Sequence, residues 1–113
     1  MSPRIGRIHQ RSIFVALRRP AGRASVGPVR VSWVPVGQPT ALVGYAIGRR
    51  CGTAVRRNRL RRRLREAVRR TELVPGAYLV SVDPSAIDLG FPGLVATVGS
   101  AMTKAATRGS PND

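Results

Sequence analysis

Residues able to make or break bonds are few in this chain, and their spacing assembles nothing. One cysteine (Cys51), one histidine (His9) and five acids are scattered over 113 residues. They offer no paired carboxylates, no cluster at metal-ligand spacing and no nucleophile beside a base. The spacing that does carry chemistry is cationic. "AVRRNRLRRRLREAVRR", residues 54–70, holds nine arginines against a single acid, Glu66. A guanidinium is a planar fork that can bond two phosphate oxygens at once and stack on bases. The chemistry implied is recognition of a polyanion.

The element that must position these groups is a helix. Leu60, Leu64, Ala67 and Val68 recur at i, i+4, i+7 and i+8, one apolar stripe of about 100°. Asn58, Arg62, Arg65 and Arg69 then fall within about 60° of one another on the opposite side, at 100° per residue. Arg59, Arg63 and Arg70 form a flank beside them. Glu66 is within reach of Arg62, Arg63 or Arg70 at i±3 or i±4, but one acid cannot compensate so many bases. Arg56, Arg57 and Arg59 place cations near the positive pole of the helix, which costs from a few tenths to about 1 kcal/mol each. A phosphate partner reverses that cost, because backbone N–H groups at a helix start and adjacent arginines both attract anions. Arg49 and Arg50 bring further charge to the same corner.

Composition points the same way. Twenty basic residues against five acids give a net charge of +15, and nineteen of the twenty are arginine. Genomic base composition can bias arginine over lysine, but it does not explain the excess of one sign. So large a charge opposes compaction and favours polyanions. Nucleic acid leads, with an anionic membrane surface or an acidic protein as alternatives. No apolar run approaches the eighteen or so residues that span a bilayer. "SIFVAL" is too short and too soon interrupted by Arg18 and Arg19 for a signal peptide. The reading is of a soluble, cytoplasmic protein. Cys51 is expected as a small apolar filler and His9 at the surface, within possible reach of RNA.

Around the arginine helix the chain reads as one domain, 1–113, with 1–8 and 105–113 as disordered tails. Ile13, Phe14 and Leu17 lie at helical spacing in a short helix that stops by Pro20. "PAGRASVG" is a loop with room for a brief strand. In "VRVSWVPV" Val29, Val31 and Trp33 share one face, and Arg30, Ser32 and Val34 the other, which is strand alternation. "ALVGYAIG" (41–48) is a second strand, and the two together read as a hairpin. "AYLVSVDP" (77–84) is an apolar strand. Leu94, Val95, Val98 and Met102 mark a last helix. This order argues for an α+β fold, a small sheet with helices packed on it.

Residues 43–66, "VGYAIGRRCGTAVRRNRLRRRLRE", closely resemble the core signature of the bacterial ribonuclease P protein subunit. The matching features are Val43-Gly44, Arg49-Arg50, Gly52, Ala54-Val55, Arg57-Asn58-Arg59, Arg61-Arg62 and Arg65-Glu66. The resemblance implies an α-β-β-β-α-β-α sandwich with a four-stranded sheet and a left-handed crossover around the arginine helix. It implies an RNA-binding role in a ribonucleoprotein endonuclease that removes the 5′ leader from precursor tRNA. In that family the chemistry belongs to the catalytic RNA, with Mg2+ held mainly by RNA and substrate, in a heterodimer of one protein with one RNA. Carried over, Arg49, Arg50, Arg56, Arg57, Asn58, Arg59, Arg61, Arg62, Arg65 and Arg69 are expected to contact the catalytic RNA. A cleft between the first helix and the sheet is expected to hold the leader, where aromatic rings can stack on bases. Trp33, eleven residues after Gly22 as in the family, is the first candidate for that cleft, with Phe14, Leu17 and Ile13. Here the first helix departs from the family pattern of aromatics one turn apart: one register gives Ile13 and Leu17, the other Phe14 alone.

Overall fold

A computed structural model describes residues 5–110. Along the chain lie β1 (Ile5–Arg7), α1 (Arg11–Ala16), β2 (Gly22–Val26), β3 (Val29–Val34), β4 (Ala41–Ala46), α2 (Ala54–Arg69), β5 (Gly76–Val82) and α3 (Phe91–Gly109). Single 3-10 turns, Arg49–Cys51 and Pro84–Asp88, precede α2 and α3. The strands form one sheet in the order β1-β4-β5-β3-β2.

β5 takes the centre, as its near-continuous apolar run requires. It pairs in parallel with β4 and antiparallel with β3, so that Tyr78 lies opposite both Val43 and Trp33. Parallel neighbours cannot be joined by a tight turn; α2 supplies the crossover between β4 and β5. The expected hairpin of β3 with β4 is therefore not formed, because β5 lies between them. The hairpin is β2 with β3, closed across Val26 and Val29 by Gly27-Pro28, with Gly27 at φ +54°. The "brief strand" is β2, and the sheet has five strands rather than four because β1 adds in parallel to β4.

The expectation of disorder over 1–8 and 105–113 does not hold where those residues are described. Residues 5–7 form β1, and 105–109 complete α3; the rest of both tails lies outside the described residues, save 8 and 110. The end of α3 is held because Ala105 and Ala106 are buried and Arg108 Nη1 donates to the Arg23 carbonyl at 2.9 Å. Gly22 permits that approach: a Cβ there would sit 1.9 Å from the Ala105 carbonyl oxygen.

The two faces of the sheet carry different loads. On one, Val29, Val31, Trp33, Val43, Tyr78 and Val80 pack with Leu60, Leu64, Ala67 and Val68 of α2 and with Leu94, Val98, Ala101 and Met102 of α3. On the other, Leu17 joins Ile8, Val34 and Ala77 in a small cluster, with Ile13, Val36, Leu42 and Leu79 at its margin. The stripe read on α2 is fully enclosed, with none of its four residues more than 1% exposed. Burying its two leucines and one valine stabilises the helix by roughly 5–9 kcal/mol. That outweighs the cationic N-terminus, where Thr53 Oγ1 also caps the helix by accepting from the Arg56 N–H at 3.3 Å.

Candidate nucleic-acid interface

Because the stripe is fixed against the sheet, every other position of α2 has a defined outlook. Asn58, Arg62, Arg65 and Arg69 are exposed on the side away from the core, as their spacing implied. Arg56, Arg59 and Arg63 flank them on the side of the Pro84–Asp88 turn, where Arg63 Nη2 donates to the Leu89 carbonyl at 2.8 Å. Arg57 and Arg61, both half-buried, flank the opposite side. Asn58 orients one of these guanidiniums, because its Oδ1 accepts from Arg61 Nη1 at 2.8 Å. The Arg57 Nε is enclosed without a hydrogen-bond partner.

Acids do little to quench this surface. Glu66 pairs with Arg69 at 3.6 Å and Arg70 at 3.5 Å, and Arg50 lies 3.9 Å from Asp83. Among the described residues no other ion pair forms, and exposed pairs of this kind contribute about 0–1 kcal/mol. Arg49 and Arg50 are exposed on the turn leading into α2. Two guanidiniums also lie on aromatic rings, Arg70 at 5.1 Å from the Phe91 centroid and Arg65 at 6.0 Å from that of Tyr45. Burial pushes the Tyr45 phenol up to about 12 although Arg65 and Arg69 pull it down, so it remains a neutral donor.

Expectations for the second face divide. Phe14 is 43% exposed on α1, and its ring edge lies over Gly44 beside Leu79. Ile13 lies half-buried at the margin of the small cluster, and Leu17, at 4% exposure, is one of its core members. Trp33 does not belong to this face. It is 5% exposed on the opposite side of the sheet, in the α2–α3 core. Gly76 and Gly109 abut its ring, and a Cβ on either would come within 2.1 Å and 2.4 Å of it, respectively. The alternation of β3 had grouped Trp33 with Val29 and Val31, and that grouping decides its place. The same alternation puts Arg30 and Ser32 on the α1 face, where Arg23 pairs with Ser32 and Arg30 with Ser25 and Ser81. This basic, hydroxyl-rich strip was not singled out from the sequence.

A cavity of about 520 Å3 joins the two surfaces at the β4 edge, beyond the end of β1. Phe14 and Gly44 line one side, Tyr45, Arg61, Arg65 and Arg69 the other, with Arg7 at the rim. Arg7 escaped the sequence reading because a three-residue strand carries no periodicity. His9 is exposed, and Cys51 is a buried filler whose Sγ lies 3.8 Å from the Val82 carbonyl.

A family model, Ribonuclease P, matches residues 2–106 of the chain. The chain belongs to the ribonuclease P protein family. It is 40% identical over 92 residues to the ribonuclease P protein component of Thermus aquaticus, covering 80% of this chain and 54% of that protein. To the protein component of Symbiobacterium thermophilum it is 43% identical over 91 residues, covering 78% and 76%. The chain thus spans about half the length of its Thermus relative and three quarters of the other. Its fold is that of the RNase P protein from Thermotoga maritima (TM-score 0.75, 20% identity, 85% of this chain and 94% of that one). The Staphylococcus aureus RNase P protein matches similarly (0.72, 18%, 86% and 92%). No helix among the described residues is long and apolar enough to cross a membrane.

Proposed function

We propose that this chain is the RNA-binding subunit of a cytoplasmic ribonuclease P ribonucleoprotein, one protein with one catalytic RNA, that removes the 5′ leader of precursor tRNA. The observation that carries it is α2: rows of guanidiniums of one sign, set in orientation by a fully buried stripe, in a chain whose residues 2–106 match the family model. These rows serve phosphates of the catalytic RNA. The α1 face, with Phe14 above Gly44 and the Arg23/Arg30 strip beyond, serves the single-stranded leader, where a ring stacks on a base and arginines follow the backbone. The cavity at the β4 edge lets one strand pass from one surface to the other.

Mg2+ would supply the Lewis acid and the activated water of phosphodiester hydrolysis. Among the described residues no three His, Cys, Asp or Glu side chains gather to hold it. In this reading such ions are held mainly by RNA and substrate phosphates, and the chain's part in the reaction is to bind and orient RNA.

Reconstitution tests the reading. Added to its cognate catalytic RNA at low magnesium, the protein should restore cleavage of precursor tRNA. Arg62→Ala should weaken binding to that RNA and lower the slope of log K against log salt by about 1. Absence of stimulation by the parent protein with a matched RNA overturns the proposal.

A further inference from the structure

The Arg56–Arg59–Arg63 flank of α2 encloses a second cavity, of about 410 Å3, that the phosphate-binding rows do not account for. Its walls are those three arginines, and its apolar contacts are Leu60 and Ile87. Leu60 is 1% exposed and belongs to the core, whereas Ile87, on the Pro84–Asp88 turn, is 40% exposed. What sets Ile87 apart is its company, a half-open aliphatic side chain lining one cavity with three cations on a turn that is secured without it. Ala86 beside it is fully buried, Asp83 caps the turn through the Ser85 N–H, and Arg63 ties the following Leu89 carbonyl to α2.

A phosphate alone needs the cations but not an apolar floor. An anionic lipid would want a broad apolar face, and here only Ile87 is open. A nucleotide needs both parts in this arrangement, a flat apolar base with an anionic phosphate one sugar away. The volume falls within the range of small-ligand sites. We infer that this cavity seats one unpaired nucleotide of the catalytic RNA, with its base on Ile87 and its phosphate on Arg56 and Arg59. The inference rests on the RNA-binding reading of α2 and adds a base contact to it. The Arg63 guanidinium, fixed by the Leu89 carbonyl, forms the wall against which the base plane lies.

The two contributions separate by salt. Phosphate contacts release counterions, whereas seating a base on an apolar floor releases none. Ile87→Ala should therefore weaken binding of the transcribed catalytic RNA about five- to tenfold, the scale of covering the open part of the three carbons removed, with the salt slope unchanged. Arg59→Ala should lower the slope by about 1. Footprinting of the same complexes with dimethyl sulfate and a water-soluble carbodiimide, which together report all four bases, should show one nucleotide protected by the parent protein and reactive with Ile87→Ala. Ile87→Leu should restore both affinity and protection, which separates a floor for the base from a general loss of shape. Ile87→Ala should melt with the parent, since the side chain is already partly in water.

If Ile87→Ala binds as the parent does while Arg59→Ala loses its counterion, the nucleotide seat is wrong and the RNA-binding helix stands. If neither variant alters binding, the reading of α2 fails as well. If Ile87→Ala instead changes the oligomeric state of the free protein in light scattering, the cavity belongs to a second copy and the inference is overturned.

Discussion

Trp33 is the residue whose assignment the fold reversed, and replacing it measures the reversal. The ring is enclosed by β5, Gly76 and the end of α3, with 5% exposure. A tryptophan buries roughly 150–250 Å2, which at ~25 cal/mol/Å2 is about 4–6 kcal/mol. That figure is an upper bound, because unfolded chains already bury part of the surface, and measured Trp or Phe to Ala changes in cores cost about 3–5 kcal/mol. Trp33→Ala should therefore lose ~3–5 kcal/mol in urea unfolding, and Tm should fall by roughly 12–20 °C for a chain of this length. Against a total of about 5–15 kcal/mol this variant is marginal, so Trp33→Phe, which fills most of the space, is the folded comparator for binding. With Trp33→Phe, affinities for precursor and mature tRNA should shift equally. The parent offers an independent readout, because Trp33 is its one tryptophan. Its fluorescence should resist acrylamide quenching and stay unchanged when precursor tRNA is added. A stability loss below about 1 kcal/mol, far under the range for buried rings, or emission that responds to the leader, would refute the burial argument.

Phe14 should show the opposite pattern. Phe14→Ala should reduce affinity for precursor tRNA relative to mature tRNA by about 1–3 kcal/mol, and equal effects on both substrates would remove Phe14 from the leader site. Asp83 gives the pH dependence. Hydrogen bonds from the Ser85 hydroxyl and N–H, aided by Arg50 and Arg30, hold its carboxyl below the usual range. A depressed carboxyl stabilises the fold fully above its unfolded value of about 4, and the contribution disappears as pH falls through the still lower folded value. Asp83→Asn should thus flatten the acid limb of a thermal stability profile; an unchanged limb would show that the cap carries no linkage.

The parts of this fold that were legible are those where chemistry alternates sharply along one element. On α2 the contrast between leucine and arginine is as large as side chains allow, so a period of 3.6 fixed the buried stripe and hence each guanidinium's outlook. β5 was legible as an apolar run, although not its central place. Strand pairing was not legible, because β3 and β4 are neighbours in sequence while the strand between them arrives about thirty residues later, after α2. Trp33 was misplaced for a different reason. Alternation had grouped it with Val29 and Val31, whereas a spacing taken from the family resemblance assigned it to the cleft; register on the pleat is the stronger constraint, since a residue cannot change face without slipping the strand. Nothing local marked the cavities. Ile87 lies in a segment without periodicity, and it lines a cavity with Leu60 through the packing of Ala86 and the Arg63 bond that holds the turn to α2.

The same geometry gives salt two opposite effects on this protein. In the free chain, nine arginines of α2 and its C-cap stand against Glu66 alone, and the apolar stripe holds them at helical spacing whether or not they are neutralised. Their repulsion is thus a cost borne by the folded state and relieved in a more expanded one. At about 0.15 M salt the Debye length is ~8 Å, longer than the separation of side chains one turn apart, so neighbouring guanidiniums still feel one another. Raising the salt should then increase the melting temperature of the free protein while it weakens RNA binding through lost counterion release. For a protein stabilised chiefly by surface ion pairs the first effect would have the other sign. The complex reverses the free protein's behaviour, because phosphates replace the mobile ions that did the screening. Its melting temperature should fall as salt rises, and the two curves should converge near the salt at which the RNA dissociates. A free protein that loses stability with added salt would show that the arginine rows are already neutralised from within.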